Sequence, residues 1–306
     1  LAAALFGFAP LAAAPAHAEP AMWVVKDEDA TVYLLGTIHV LKSETQWRSD
    51  KLQAAFKASD QYWMEADIEE DPAIAQTYAM NFGIDSQHPL AEKLSPADYA
   101  QFLKLIGAMN IPEAHVAHMR PWLATMLLQR GMIMGNGYDP RYGVDRALEN
   151  DAKAAGKPVK TFETPSQQLS FLAGLSKPVE LAMLEDALHD MHPSGDAGSG
   201  ESAKPAASVS GAGADRGGSG LDAMEAAWLA GDTEKLYALT FRNRRTKTPE
   251  FFDVMITKRN AAWLPQIETL LRTPGTYFVA VGAGHLIGEG GLPALLAERG
   301  YRVSRY

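Results

Sequence analysis

The sequence predicts an α/β fold, strongly helical, built on a mixed sheet. Three observations carry that expectation. Short runs rich in β-branched and aromatic residues stand near both ends of the chain, at 31–35 and 276–281. Between them lie stretches with helical spacing of apolar residues, several opened by an Asp-Pro, Ser-Pro or Thr-Pro pair. Strand–helix–strand alternation lets crossover connections set parallel neighbours in one sheet. Of the 306 residues, 47% are apolar and 21% charged, which excludes a wholly disordered chain.

Taken in order, residues 22–25 and 31–35 form a hairpin across the polar stretch Lys26-Asp27-Glu28-Asp29. Leu52, Ala55 and Phe56 give a helix over 49–59, and 61–68 (QYWMEADI) reads as a strand. Asp71-Pro72 and Ser95-Pro96 each open a helix, and an apolar helical region covers 113–134, started or kinked at Pro121. A helix over 143–155 stops at Gly156 and a strand follows at 158–162. Thr164-Pro165 opens the next helix, and others cover 178–191, 221–245 and 249–271. A strand at 276–281, a helix at 292–299 and a strand at 301–304 close the chain.

Two segments stand apart. Residues 1–18 carry no formal charge and end Ala16-His17-Ala18, an A-x-A pattern suited to signal peptidase. They read as the apolar part of a secretory signal, cleaved after Ala18, which predicts a periplasmic or secreted protein without a transmembrane helix in the mature chain. Residues 193–220 contain 20 Gly, Ser or Ala among 28, so this stretch is expected to be a disordered insert. The remainder, 19–306, fits one domain. The net charge of -9 and the single basic cluster at 242–247 argue against a nucleic-acid partner. With no cysteine, thiolate chemistry and disulfides are excluded.

The chemistry-bearing signal is an internal echo. TVYLLGTIHV and TYFVAVGAGHL each run from a β segment into Gly-x-x-His, ending at His39 and His285. Glycine permits a sharp turn at a strand's carboxyl end, the edge where α/β sheets bind ligands. A third element is Glu65 with Asp67, placed on one strand face together with Trp63. Acids there need a partner or an ion. Two His and one or two carboxylates make a nitrogen–oxygen set suited to Zn, Mn, Co or Fe, whose bound water would be activated. His115 with His118, His189 with His192, and Gly288-Glu289-Gly290-Gly291 read instead as packed or solvated features and an incomplete phosphate loop.

Together these blocks resemble the TraB/GumN family, whose animal relatives are the Tiki proteins. Leu35 to Val40 and Val281 to Leu292 look like its two GxxH blocks. Glu65 with Asp67, Arg120-Pro121-Trp122, Gly143-Val144-Asp145, Gly156-Lys157-Pro158-Val159, Glu163, Gln168 and Arg259-Asn260 resemble its intermediate blocks. The resemblance implies a core like that of erythromycin-esterase-like and ChaN-like proteins. It also implies metal-dependent peptidase activity on a peptide or protein substrate. His39, Glu65 and His285 would hold a divalent ion (Mn, Co or Zn). Glu65 or Asp67 would move the proton. Arg259 would bind a substrate carboxylate or oxyanion, or else pair with an acid such as Asp145. The expectation is therefore an exported metal-dependent peptidase. A periplasmic protein that binds a metal or haem-type ligand without turnover is the alternative, and an accessory protein of envelope export a third.

Overall fold

The computed structural model describes residues 18–67, 72–191, 218–241 and 244–306. The expected secretory segment, Ala18 apart, lies outside the described residues, as does most of the expected insert. Three residues of that insert, from Gly218 on, already belong to the helix Gly218–Leu229.

Six strands form one mixed sheet. They are β1 (Met22–Lys26), β2 (Ala30–Thr37), β3 (Gln61–Met64), β4 (Val159–Thr161), β5 (Gly275–Gly282) and β6 (Arg302–Arg305), in the order β4-β3-β5-β2-β1-β6. β1 and β2 make the expected antiparallel hairpin, and β6 lies antiparallel on the outer side of β1. β4, β3, β5 and β2 run parallel to one another. Parallel strands need crossovers, and the helices between them supply the cover on both faces.

One face of the sheet buries Leu35, Tyr62, Met64, Phe278 and Ala280. Against it lie Leu52 and Ala55 of the helix Asp50–Ala58, and Val144, Leu148 and Ala152 of the helix Val144–Ala154. The opposite face buries Val32, Leu34, Val279 and Val281 against Trp263, Leu264 and Ile267 of the helix Lys258–Leu271. A third apolar cluster is wholly helical. It joins Phe102 and Ile106 of Pro96–Ala108, Leu128 of Pro121–Gly135, and Leu184 and Leu188 of Lys177–Asp190. Among the described residues no helix is long and apolar enough to cross a membrane.

Several expected helices are shorter than the pattern implied. Pro121 starts the helix Pro121–Gly135, and the stretch before it holds only the 3-10 turn Glu113–His115. The helical stretch expected over 221–245 holds the helices Gly218–Leu229 and Thr233–Phe241, separated at Gly231, whose φ is 64°. The helix expected over 249–271 contains a π-helical turn, Asp253–Thr257, just before Lys258–Leu271. The strand expected over 61–68 ends at Met64. Beyond it the chain turns, so the two-residue repeat of a strand no longer governs where Asp67 points.

Candidate active site

The two Gly-x-x-His segments meet because β2 and β5 are parallel neighbours, with Thr37 opposite Gly282. A Cβ on Gly36 would lie 3.0 Å from the Ala283 Cα, so the segments touch through backbone. β3 and β4 end at the same edge. Just beyond them Phe162 N–H donates to the Met64 carbonyl and Glu163 N–H to the Glu65 carbonyl, both at 3.0 Å. Four parallel strands thus deliver His39, His285, Glu65 and Glu163 to the carboxyl edge of one sheet, where ligands bind in such folds.

Glycines set the spacing. A Cβ on Gly282 would stand 3.0 Å from Glu65 Oε1 and 3.1 Å from His39 Nε2. A Cβ on Gly143 would stand 2.4 Å from the His39 carbonyl oxygen. Glycine there lets the helix Val144–Ala154 begin against the His39 turn and sets Asp145 beside the ring. His39 Nδ1 lies 3.0 Å from Asp145 Oδ1. Since that carboxylate accepts, Nδ1 carries a proton, and Nε2 is the nitrogen that lies against Gly282.

The buried part of the site is a fully bonded network. Asn260 Nδ2 donates to the carbonyls of His285 (3.1 Å) and Gly290 (2.8 Å), leaving Asn260 Oδ1 to accept from His285 Nδ1 at 2.7 Å. His285 therefore presents a lone pair at Nε2, which accepts from Arg259 Nη1 at 3.1 Å. Arg259 also donates through Nη2 to Glu65 (2.6 Å) and Glu163 (2.5 Å), through Nε to Glu163 (3.2 Å) and through Nη1 to the Met255 carbonyl (3.3 Å). A guanidinium has five N–H donors, and all five are used. Gln168 Nε2 bridges Glu65 (3.2 Å) and Glu163 (3.3 Å), and Gly282 N–H donates to Glu65 Oε1 at 2.7 Å. The Arg259 guanidinium stacks 4.7 Å from the centre of the Trp263 ring.

These contacts fix the charges. Burial pushes the His285 imidazole down to about 3, Glu65 only partly opposing it, so this ring is neutral. Burial works against the Glu65 anion, but His285, Arg259, His39 and the Gly282 N–H outweigh it and hold the carboxyl at about 2. With His285 neutral, Arg259, protonated His39 and the Gly282 N–H remain to stabilise the anion at neutral pH. Burial raises Glu163 in spite of Arg259. The Asp145 anion raises His39 to about 9, with Glu65 adding to it. The His39 side chain is 58% exposed while those of Arg259 and His285 are 4% exposed. His39 is thus the group through which the network meets solvent.

The other expected residues fall elsewhere or into other roles. Asp67 does not join the site; it faces Lys153 at 3.5 Å and interacts with Glu149. Arg259 is paired with Glu65 and Glu163, not Asp145, and keeps no free N–H for a substrate. His115 closes an exposed 3-10 turn, His118 Nδ1 lies 3.2 Å from the Asp85 carbonyl, and His189 sits in the last turn of its helix. His192 lies outside the described residues. Asp145, Asn260, Glu163 and Gln168 join the network although their spacing gave no chemical signal.

Both histidines have Nδ1 tied to an acceptor, which suits metal ligation through Nε2. However, His285 Nε2 and Glu65 already receive the Arg259 guanidinium. A divalent ion between them would face an adjacent fixed positive charge. Among the described residues no group of three or more His, Cys, Asp or Glu is arranged to hold a metal ion. His39, Glu65 and His285 do not fit an ion while Arg259 keeps this place.

Comparison with known proteins places these residues in a family. The model of the TraB/PrgY/gumN family matches residues 21–305. The "Uncharacterized protein YbaP" of Escherichia coli (strain K12) is 26% identical over 277 residues, covering 90% of this chain and 92% of the relative. That of Shigella flexneri is 26% identical over the same shares. No solved structure matches the chain significantly.

Proposed function

The chain belongs to the TraB/PrgY/gumN family, and on that premise we propose that it is a hydrolase of carbonyl compounds, peptide bonds foremost, with His39 as its proton-transfer group. One observation carries the reading: His39 stands exposed at the rim of a buried, satisfied network, its Nδ1 held by Asp145 and its Nε2, like Glu65 Oε1, set close against Gly282. In its neutral form His39 takes a proton from water as the oxygen attacks the carbonyl carbon. Asp145 stabilises the resulting imidazolium, which then returns the proton to the leaving amine or alcohol. Arg259 acts as a positioning residue that keeps Glu65 ionised and His285 neutral. The choice of peptide substrates rests on the resemblance to the Tiki branch.

A second reading is a metal-dependent peptidase in which His39, Glu65 and His285 hold Mn, Co or Zn. The tautomers of both histidines favour it, and Arg259 opposes it. Export to the periplasm belongs to either reading and rests on residues 1–18.

The test is a peptide and ester library digested by the purified protein and by His39→Ala, with and without a chelator. Turnover that survives the chelator and vanishes in His39→Ala supports the first reading. Turnover lost to the chelator and restored by Mn, Co or Zn supports the second. Stoichiometric binding of a ligand with no product from any substrate overturns both in favour of a binding protein.

A further inference from the structure

Glu65 and Glu163 are two carboxylates buried side by side at the carboxyl edge of the sheet. Such a pair needs a cation. In this chain the cation is covalently attached: Arg259 enters from the helix Lys258–Leu271 and bonds both acids and the lone pair of His285. The π-helical turn Asp253–Thr257 precedes it directly, and the Met255 carbonyl in that turn takes one of the five donors. Extra-residue turns of this kind concentrate where a helix must aim a side chain. Trp263, one turn further on, has the guanidinium carbon 4.7 Å from its ring centre and meets the His285 ring at a tilt of 42°, with the two ring centres 4.4 Å apart. The helix therefore carries the cation, its aromatic wall and Asn260, which sets the His285 tautomer.

We propose that Arg259 is a built-in cation occupying the position between Glu65 and His285, so that a divalent metal ion reaches the His39, Glu65 and His285 donors only by displacing its guanidinium. The inference stands apart from hydrolysis, since it concerns which cation the donors hold. A ligated ion needs the lone pair at His285 Nε2 and an oxygen of Glu65, and Arg259 uses the first and half of the second. The single lone pair at His285 Nε2 cannot serve both cations. Metal affinity in the wild-type chain is set by how firmly Glu163 and the Met255 carbonyl hold the guanidinium in place.

The experiment titrates Co²⁺ into the wild-type protein and into Arg259→Gln, followed by the visible spectrum of the bound ion and by calorimetry. Arg259→Gln should bind one Co²⁺ at least tenfold more tightly than wild type, with a His-ligand spectrum lost when His285→Ala is added. Co²⁺ should also raise the melting temperature of Arg259→Gln and leave that of wild type nearly unchanged. Lys153→Gln, which removes a nearby exposed charge outside the network, should not tighten binding. If Arg259→Gln fails to fold, Glu163→Gln serves: it loosens the guanidinium while keeping every proposed donor, and should tighten Co²⁺ binding severalfold. Wild type binding Co²⁺ as tightly as the folded variant, or Lys153→Gln matching it, would overturn the proposal.

Discussion

Two arginines among the described residues each pair with a buried carboxylate, and the two centres behave differently. Arg120 pairs with Glu180, whose side chain is 1% exposed, and its remaining donors go to the carbonyls of Phe82 (3.0 Å) and Ala173 (2.9 Å). It ties the helix Pro121–Gly135 to the helix Lys177–Asp190 and to neighbouring chain ends, beside the apolar cluster of Phe102 and Leu184. Arg259 pairs with Glu65 and Glu163 and also bonds a histidine. Burial raises Glu180 and Glu163 alike. A buried ion pair is therefore a poor marker of a site. What sets the second centre apart is its place at the ends of four parallel strands, and a titratable ring, His39, standing exposed at its rim.

That contrast predicts a separation of activity from stability. The largest expected effect is at His39. His39→Ala should lower hydrolysis by about 10²–10⁴-fold, the usual worth of a positioned proton-transfer group. Its melting temperature should match wild type above pH 9, where the His39–Asp145 pair no longer contributes, and fall modestly below it at neutral pH. Arg120→Met should do the reverse. Leaving Glu180 buried without its partner should cost about 3–5 kcal/mol in chemical denaturation, while activity per folded molecule holds. Adding Glu180→Leu should recover most of that loss. Equal effects of His39→Ala and Arg120→Met on both readouts would erase the distinction.

A smaller effect concerns pH. The proton affinity of His39 is raised in the folded state, so its contribution favours folding below the ordinary imidazole range and is lost as pH climbs through about 9. A reaction that needs neutral His39 should accelerate with pH toward that value. Asp145→Asn removes the main cause of the shift, so the rising limb of kcat/KM should move to lower pH. An unmoved limb would detach Asp145 from the reaction. The smallest effect is at Asp67. Asp67→Asn, which alters a contact with Lys153 and Glu149 away from the strand edge, should change turnover less than about twofold.

The sequence made the sheet edge legible. The repeated β–Gly-x-x-His pattern became two adjacent parallel strands, because apolar runs buried on both faces seek the centre of a sheet. Glu65 was legible too: it follows Trp63 on the side covered by the helix Lys258–Leu271, where an acid must find a cation. Asp67 was not, because pairing ends at Met64 and the following turn sends it toward Lys153. The helix over 249–271 was expected without its π turn, since one extra residue per turn leaves no mark in an apolar pattern. Asp145, Glu163 and Asn260 each act from a single position brought in by tertiary packing, and no spacing rule reaches them. Their only trace was as short blocks of the family pattern.

Of the two site histidines, exposed His39 takes up and releases a proton above neutral pH, while buried His285 stays neutral. A histidine NMR titration, assigned with His39→Ala and His285→Ala, tests it most directly. His39 should titrate at about 9 and fall toward the ordinary imidazole value in Asp145→Asn, while His285, held at about 3, stays neutral through the neutral range. Both rings titrating together at the ordinary value, unmoved by Asp145→Asn, would contradict it.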